Sequence, residues 1–222
     1  MDDPAGWGQD ENRMKLHYDP SSSCSRRVRL TSALLGVAVD EHRIDLGSAA
    51  DRTALLGLNP NGKVPVLEDG GLVLWESHAI MQYLCNRTPD QRLYPPDVAA
   101  RADVDRWLFW ITGQLEPAAG GLNIENMWKQ LIDGSAPDPA VVARLEAMLH
   151  TAAQMLDRHL ADRQWIAGVS LSLADLSVAA TMMYRGPARH PVGSYRHLLS
   201  LLDRVAALDV WPRTDPRARH ER

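Results

Sequence analysis

The chain changes its hydrophobic pattern partway along, and this change constrains the fold more than any other feature. Up to Leu84, strand-like and helix-like segments alternate in the order β-α-β-α-β-β-α, which is typical of an α/β domain. From Asp97 onward, apolar residues recur only at helical spacing. Prolines interrupt both patterns between Asn86 and Pro96, as is typical of a linker. The sequence therefore predicts an α/β domain followed by an all-helical bundle domain.

These patterns predict a set of segment boundaries. Residues 1–13 are acidic and polar, and we expect them to form a flexible extension. Residues 14–87 form the predicted α/β domain, residues 88–96 the linker and residues 97–213 the helical domain. We expect residues 214–222 to form a flexible tail.

Composition argues against several classes of function. The net charge is −4 and the basic residues are scattered, so we expect no nucleic-acid partner. No apolar run approaches the ~18 residues of a membrane span, and the acidic N-terminus is unlike a signal peptide. Cys24 and Cys85 do not make a disulfide framework, and the histidines lack metal-ligand spacing. We therefore expect a cytoplasmic protein without a metal site or a membrane partner.

The segment Lys15–Leu30 carries the strongest local signal for chemistry. Lys15–Asp19 alternates as a strand does, Pro20 cannot continue that strand, and a helical pattern begins at Ser25. Serine hydroxyls and the Cys24 thiol thus fall beside the free N–H groups of a helix N-terminus, which binds anions and lowers thiol pKa values. The alternative is that the serines only cap the helix.

Two further spots in the α/β half offer polar groups. Lys63-Val64-Pro65 opens a predicted hairpin, and Glu76-Ser77 precedes a predicted helix. Each has an ordinary alternative, since Lys63 can be a solvated charge, Pro65 can end a loop and Ser77 can cap its helix. Together, two helix N-termini and an edge-strand backbone would converge on one side of a small sheet. That side would offer anion sites and a docking edge for an extended peptide.

The ordered combination of these motifs resembles the soluble glutathione transferases, in a bacterial-like form. The α/β half resembles their thioredoxin-fold domain, and Gly62-Lys63-Val64-Pro65 is similar to the family's segment that ends in a cis-proline. Glu76-Ser77 is similar to the family's acidic-Ser pair. Ser172-Leu173-Ala174-Asp175 is similar to the capping box of its helical domain, a motif that we assign to folding. The resemblance extends from Lys15 to Pro212.

The resemblance implies a role for each polar residue. Val64 would offer its backbone N–H and C=O to the cysteinyl part of glutathione, and the bond before Pro65 would be cis. Glu76 and Ser77 would hold the γ-glutamyl end, with Ser77 and the helix N-terminus taking its carboxylate. Lys63 would attract the glycyl carboxylate.

The serine turn, Ser22 to Arg29, resembles the zeta-class signature and the theta-type serine classes. In that pattern Ser22 would donate a hydrogen bond to the glutathione sulfur. Counting forward from Pro20, as in the beta class, gives Ser23 instead. Cys24 ranks third, because it lies two residues beyond Ser22 in the turn. A thiol at the activating position would instead form a mixed disulfide and favour reduction chemistry.

The implied function is a homodimeric glutathione transferase of the detoxification type, whose glutathione thiolate attacks a small hydrophobic electrophile. Trp110, Met127 and Trp128 are candidates for the apolar wall against the electrophile. The alternatives are a glutathione-dependent reductase, an isomerase of the maleylacetoacetate type, or a non-catalytic transferase-like binding module. Three arginines follow the serine turn, and we expect at least two of them to lie on a solvated helix face. They are Arg26, Arg27 and Arg29.

Overall fold

A computed structural model describes residues 14–216 of the chain. The predicted N-terminal extension, residues 1–13, lies outside the described residues, as do residues 217–222 of the predicted tail. The chain divides into two compact units, one ending at Leu84 and the other beginning at Cys85.

The N-terminal unit contains a four-stranded mixed sheet and three helices, the last of which extends past Leu84 to Arg87. The strands lie in the order β2-β1-β3-β4, with β1 parallel to β2, and with β3 antiparallel to both β1 and β4. This confirms the predicted thioredoxin-like α/β architecture. The elements are β1 (Lys15–Tyr18), α1 (Ser23–Leu35), β2 (Asp40–Arg43), α2 (Ala49–Leu58), β3 (Val66–Asp69), β4 (Leu72–Trp75) and α3 (Ser77–Arg87).

Three of these elements end at other residues than the sequence pattern predicts. β1 ends at Tyr18, one residue before Asp19. β2 ends at Arg43 rather than at Leu46, because its parallel partner β1 ends at Tyr18. α2 continues through Gly57, where we expected it to end, and stops at Leu58. A glycine inside a helix costs only about 1 kcal/mol relative to alanine, which does not suffice to end a helix that packs on a core.

Apolar packing holds the loop before β3 against the sheet. Leu55 of α2 forms a buried cluster with Ile44 and Val66. Leu58 and Val64 pack against that cluster. Burial of these side chains is favourable in water, so Val64 is positioned by the core.

The C-terminal unit is entirely helical, which confirms the second half of the predicted fold. Within residues 14–216, no helix combines the length and the hydropathy that crossing a membrane requires. The helices are α4 (Val98–Trp110), a π-helical segment (Ile111–Leu115), α5 (Glu116–Asn123), a second π-helical segment (Ile124–Trp128), α6 (Lys129–Ile132), α7 (Pro139–His159), α8 (Leu173–Thr181) and α9 (Arg196–Ala206).

Pro117 and Gly120-Gly121 interrupt the helical pattern that begins at Asp97, and they predict a bend or an end of the helix there. The chain instead stays helical from Val98 to Ile132. The N–H of Glu116 donates to the carbonyl of Ile111, five residues back, in a π-type hydrogen bond. Pro117 therefore stands in the first turn of α5, where a missing N–H costs little.

The predicted capping box at the start of α8 is confirmed. One carboxylate oxygen of Asp175 accepts hydrogen bonds from the N–H and the hydroxyl of Ser172, at 2.8 and 2.7 Å. The other accepts from the N–H of Ile166 at 2.8 Å. Burial raises the pKa of Asp175 to about 6, and these hydrogen bonds oppose the rise.

Candidate functional site

Three polar segments lie at one edge of the N-terminal sheet, namely the end at which β1 and β4 finish and β3 begins. The register pairs His17 of β1 with Val66 of β3, and Val66 with Trp75 of β4. The turn after β1, the loop before β3 and the turn after β4 must therefore leave the sheet at the same edge. The predicted site residues in these segments are Ser22, Ser23 and Cys24, then Lys63, Val64 and Pro65, then Glu76 and Ser77.

Ser22 caps α1. Its hydroxyl oxygen accepts a hydrogen bond from the N–H of Ser25 at 3.1 Å, and this leaves its own proton available for a second group. The helix begins at Ser23, two residues before the predicted start, because each consecutive serine is an equally good cap in sequence. Asp19 braces the turn by accepting hydrogen bonds from the N–H and the hydroxyl of Ser21.

Ser23 and Cys24 differ from Ser22 in being residues of α1 itself. Both side chains are half-buried, and Cys24 is a free thiol. Cys85 is also free but buried, and burial raises the pKa of its thiol to about 12. Cys24 is thus the more accessible of the two thiols.

The loop before β3 presents an unused backbone. The Val64-Pro65 peptide bond is cis, as the resemblance implied. The N–H and C=O of Val64 make no hydrogen bond with any described residue. β3 is an inner strand rather than the expected edge strand, and Pro65 precedes its first residue, where no ladder N–H is required. An extended ligand can therefore pair with this backbone.

Asn59 organises this loop, although it is not among the site residues that the sequence predicts. Asn59 is 3% exposed, and its side-chain amide donates to the carbonyl of Lys63 at 2.7 Å. Its side-chain oxygen accepts from the N–H of Asn61 at 3.0 Å. The only signal in the sequence is the tendency of Asn to form such local turns. The Lys63 side chain itself is exposed.

The turn after β4 contains a residue in an unusual backbone conformation. Glu76 has φ of 71°, a left-handed value that non-glycine residues rarely adopt. Its carbonyl accepts from the N–H of Ile80 at 3.0 Å, so Glu76 stands at the cap position and Ser77 is the first residue of α3. Ser77 is therefore not the cap that the ordinary alternative assumed. Backbone strain of this kind clusters at functional sites.

The three arginines after the serine turn are buried, so our expectation of a solvated face was wrong. Arg26, Arg27 and Arg29 are 4%, 1% and 5% exposed. Arg29 binds both carboxylate oxygens of Glu41, at 2.6 and 2.9 Å, and lies over the ring of Tyr18. Buried guanidinium groups require such partners.

Arg27 instead reaches the first turn of α3. One of its terminal nitrogens lies 2.6 Å from Nε2 of His78 and 3.5 Å from Oγ of Ser77. Burial, and then the charge of Arg27, lower the pKa of His78 to about 2. His78 is therefore neutral at physiological pH. Neither Arg27 nor His78 is among the site residues that the sequence predicts.

The candidate apolar wall is not brought together in one cavity. Trp110 borders two cavities of the helical unit, of about 270 and 320 Å³, together with Met155. Met127 and Trp128 border neither of these two cavities. Trp128 packs edge-on against Tyr184, with ring centroids 5.4 Å apart.

Comparison with known proteins gives this geometry a context. Residues 21–87 match the family model described as glutathione S-transferase, N-terminal domain. A probable glutathione S-transferase of rice is 32% identical over 70% of this chain and 69% of its own length. Glutathione S-transferase 2 of Anopheles gambiae is 30% identical over 76% of this chain and 78% of its own.

Solved structures agree with these relatives. A structure of glutathione S-transferase III is 28% identical, with a TM-score of 0.80 over 91% of this chain and 95% of its own. Glutathione transferase F2 of Populus trichocarpa has a TM-score of 0.84 over 90% of this chain and 96% of its own. At 22% identity, the poplar protein shows the shared fold. Sequence identity spread over most of both chains, together with this fold, shows that the chain belongs to the glutathione S-transferase family of enzymes.

Proposed function

We propose that the chain binds glutathione at this edge of the sheet and activates its thiol for attack on a small hydrophobic electrophile. The observation that carries the proposal is the convergence of the turns after β1 and β4 with the loop before β3. Glutathione is an extended peptide with a thiol and two carboxylates. The edge offers an unused backbone for the peptide, helix N-termini for anions and a hydroxyl for sulfur.

Each part of glutathione has a matching group in residues 14–87, the proposed glutathione-binding domain. Val64 would pair its N–H and C=O with the cysteinyl residue. Ser77 and the N-terminus of α3 would take the γ-glutamyl carboxylate, and Glu76 would take the amino group. The exposed Lys63 would attract the glycyl carboxylate.

Ser22 is the proposed thiolate-stabilising residue, in keeping with the zeta-like turn. A free thiol has a pKa near 8.5 and is mostly protonated at pH 7. A hydrogen bond from Ser22 to the thiolate, at about 1.5–3 kcal/mol, would lower the thiol pKa by about 1–2 units. The thiolate then forms the new C–S bond with the electrophile. Ser22 is preferred to Ser23 because its hydroxyl already accepts from Ser25 and can donate outward.

Glutathione titration tests this function. We expect calorimetry to show glutathione binding, and a panel of electrophiles to show enzyme-dependent loss of glutathione. Ser22→Ala should raise the pH at which thiolate absorbance appears on the enzyme, whereas Ser23→Ala should leave that pH in place. An unchanged profile for Ser22→Ala excludes Ser22 as the activating group. Absence of glutathione binding would favour a non-catalytic binding module instead.

The free, half-exposed thiol of Cys24 favours a second candidate, glutathione-dependent reduction. Cys24 would then attack a glutathione disulfide and form a mixed disulfide, with release of one glutathione thiolate. Intact mass after incubation with oxidised glutathione tests this candidate. A glutathione adduct that disappears in Cys24→Ser would support reduction, and an unmodified chain would exclude it.

The remaining proposals concern the helical domain, residues 97–213, and the assembly. We propose that this domain contacts the electrophile and that the protein is a cytoplasmic homodimer. Trp110→Phe and Trp128→Phe test which of these two side chains lines the electrophile site. The variant at the residue that contacts the electrophile should raise KM for the electrophile, and KM for glutathione should stay unchanged. Light scattering on the purified protein measures the assembly.

A further inference from the structure

A buried charge stands directly behind the proposed γ-glutamyl site. The side chain of Arg27 extends from α1 to the first turn of α3, where it contacts Oγ of Ser77 and Nε2 of His78. Arg27 is 1% exposed, so little water screens its charge. In this reach to α3 it differs from Arg29, whose guanidinium binds Glu41.

The chemistry of the guanidinium fixes the polarity of these contacts. A guanidinium can only donate hydrogen bonds, so Nε2 of His78 and Oγ of Ser77 are both acceptors. His78 is neutral and places its own proton on Nδ1. Ser77, having accepted from Arg27, keeps its hydroxyl proton for donation to another group. That group should be an anion, since the N–H groups of the first turn of α3 also lie there.

We propose that Arg27 is a positioning residue for the α-carboxylate of the γ-glutamyl group, acting through Ser77 and His78. This inference rests on the proposed function, which brings glutathione to the same helix start. Arg27 orients the Ser77 hydroxyl and supplies a fixed positive charge behind the carboxylate. It thereby makes the site selective for ligands that carry this carboxylate.

The competing explanation is that Arg27 only ties α1 to α3. The two explanations differ in the ligand that they affect. A purely structural loss weakens every glutathione-like ligand equally. Loss of a carboxylate-positioning charge weakens only a ligand that carries the carboxylate.

Calorimetry with two ligands decides between them. The ligands are glutathione and 4-aminobutyryl-cysteinylglycine, which lacks only the γ-glutamyl α-carboxylate. For Arg27→Gln we expect affinity for glutathione to fall about 10-fold or more, and affinity for the analogue to change less than about 2-fold. KM for glutathione should rise while kcat is largely kept. Equal losses for both ligands, or no loss for glutathione, would overturn the inference.

Arg29→Gln is the matched control. It removes a second buried arginine from the same helix, but one that binds Glu41 rather than α3. We expect a lower melting temperature with the same preference for glutathione over the analogue as in the wild type. If Arg29→Gln lost that preference as Arg27→Gln does, the effect would be structural and the inference would fail.

A milder variant covers the case in which Arg27→Gln does not fold. Arg27→Lys keeps the charge but loses the planar fork. We expect a smaller loss that is still confined to glutathione, and equal losses for both ligands would again overturn the inference. If the wild type binds no glutathione, the proposed function and this inference fail together. If the wild type binds glutathione but the Arg27 variants lose affinity equally for both ligands, only this inference fails.

Discussion

The hydroxyl oxygen of Ser22 accepts the N–H of Ser25 at 3.1 Å, so the side chain proposed to stabilise the glutathione thiolate is also the N-cap of α1. The two parts of the hydroxyl have separate tasks, because the oxygen accepts from the helix and the proton is left for the ligand. Capping and thiolate stabilisation are therefore not alternatives at this residue. A substitution there should affect folding and activity by separable amounts.

Ser22→Ala should lower the free energy of unfolding by about 1 kcal/mol, since that is the usual cost of losing an N-cap. Urea unfolding measures this loss. Ser22→Thr keeps a hydroxyl cap and should recover most of the stability. Ser23→Ala is the control for a change in the same turn, and it should cost less because Ser23 lies within the helix. Equal losses for Ser22→Ala and Ser23→Ala would contradict the capping assignment.

The sequence predicted best where a local signal determines the local structure. The tight-turn signal Gly70-Gly71 predicts a hairpin with strands over residues 66–69 and 72–75, and β3 and β4 have these bounds. The two glycines adopt left-handed conformations, with φ of 54° and 91°. The capping box of Ser172 and Asp175 was equally predictable from the sequence, because both residues lie within one helical turn.

The sequence predicted worst where the outcome depends on distant residues. A buried arginine needs a partner, and that of Arg27 is His78, which follows it by 51 residues. Periodicity in α1 carries no information on that contact, so a solvated face was the natural expectation. The helix continues through Pro117 because of a π-type hydrogen bond, and the spacing of apolar residues does not predict such a bond.

Adjacent glycines in α5 should respond differently to alanine. A Cβ on Gly121 would lie 2.6 Å from Cδ2 and 2.8 Å from Cδ1 of Leu145, whereas a Cβ on Gly120 would meet nothing within 4 Å. Gly120→Ala should stabilise by about 0.5–1 kcal/mol through helix propensity. Gly121→Ala should be less stable than Gly120→Ala by about 1–3 kcal/mol, because Leu145 is buried and must move.

Urea unfolding of both variants measures this difference. The double variant Gly121→Ala/Leu145→Ala should be more stable than the sum of its single changes predicts, because the removed side chain is the one that the new Cβ meets. Simple additivity, or equal stability of the two glycine variants, would show that α5 and α7 do not approach as closely as the structure has them.

The two thiols should react with a thiol reagent at very different rates. Cys24 is partly exposed, whereas Cys85 is 1% exposed and burial raises its pKa to about 12. Because the thiolate is the reactive form, Cys85 should be inert in the folded protein. Colorimetric titration should count one fast thiol in native wild type, none in Cys24→Ser and both in denaturant. Fast labelling of native Cys24→Ser would refute this prediction.

The buried carboxyl of Asp175 should make stability depend on pH. Its pKa is raised to about 6 in the folded chain, against about 3.9 when unfolded. Between these values the folded state binds more protons than the unfolded state. The contribution of Asp175 is therefore greatest below the unfolded pKa and is lost as pH rises through about 6. The wild type should lose about 2 kcal/mol through this group between about pH 4.5 and 7.5.

Asp175→Asn isolates this contribution, because asparagine does not titrate. The variant should be less stable than the wild type at both pH values. The NH2 group that replaces one carboxylate oxygen is a donor and cannot accept from the N–H that faces it, and an orphaned donor costs about 1–3 kcal/mol. The wild-type advantage in urea unfolding should be about 2 kcal/mol larger near pH 4.5 than near pH 7.5. An advantage that is constant with pH, or that grows as pH rises, would mean that the three hydrogen bonds outweigh burial and hold Asp175 ionised in the folded chain.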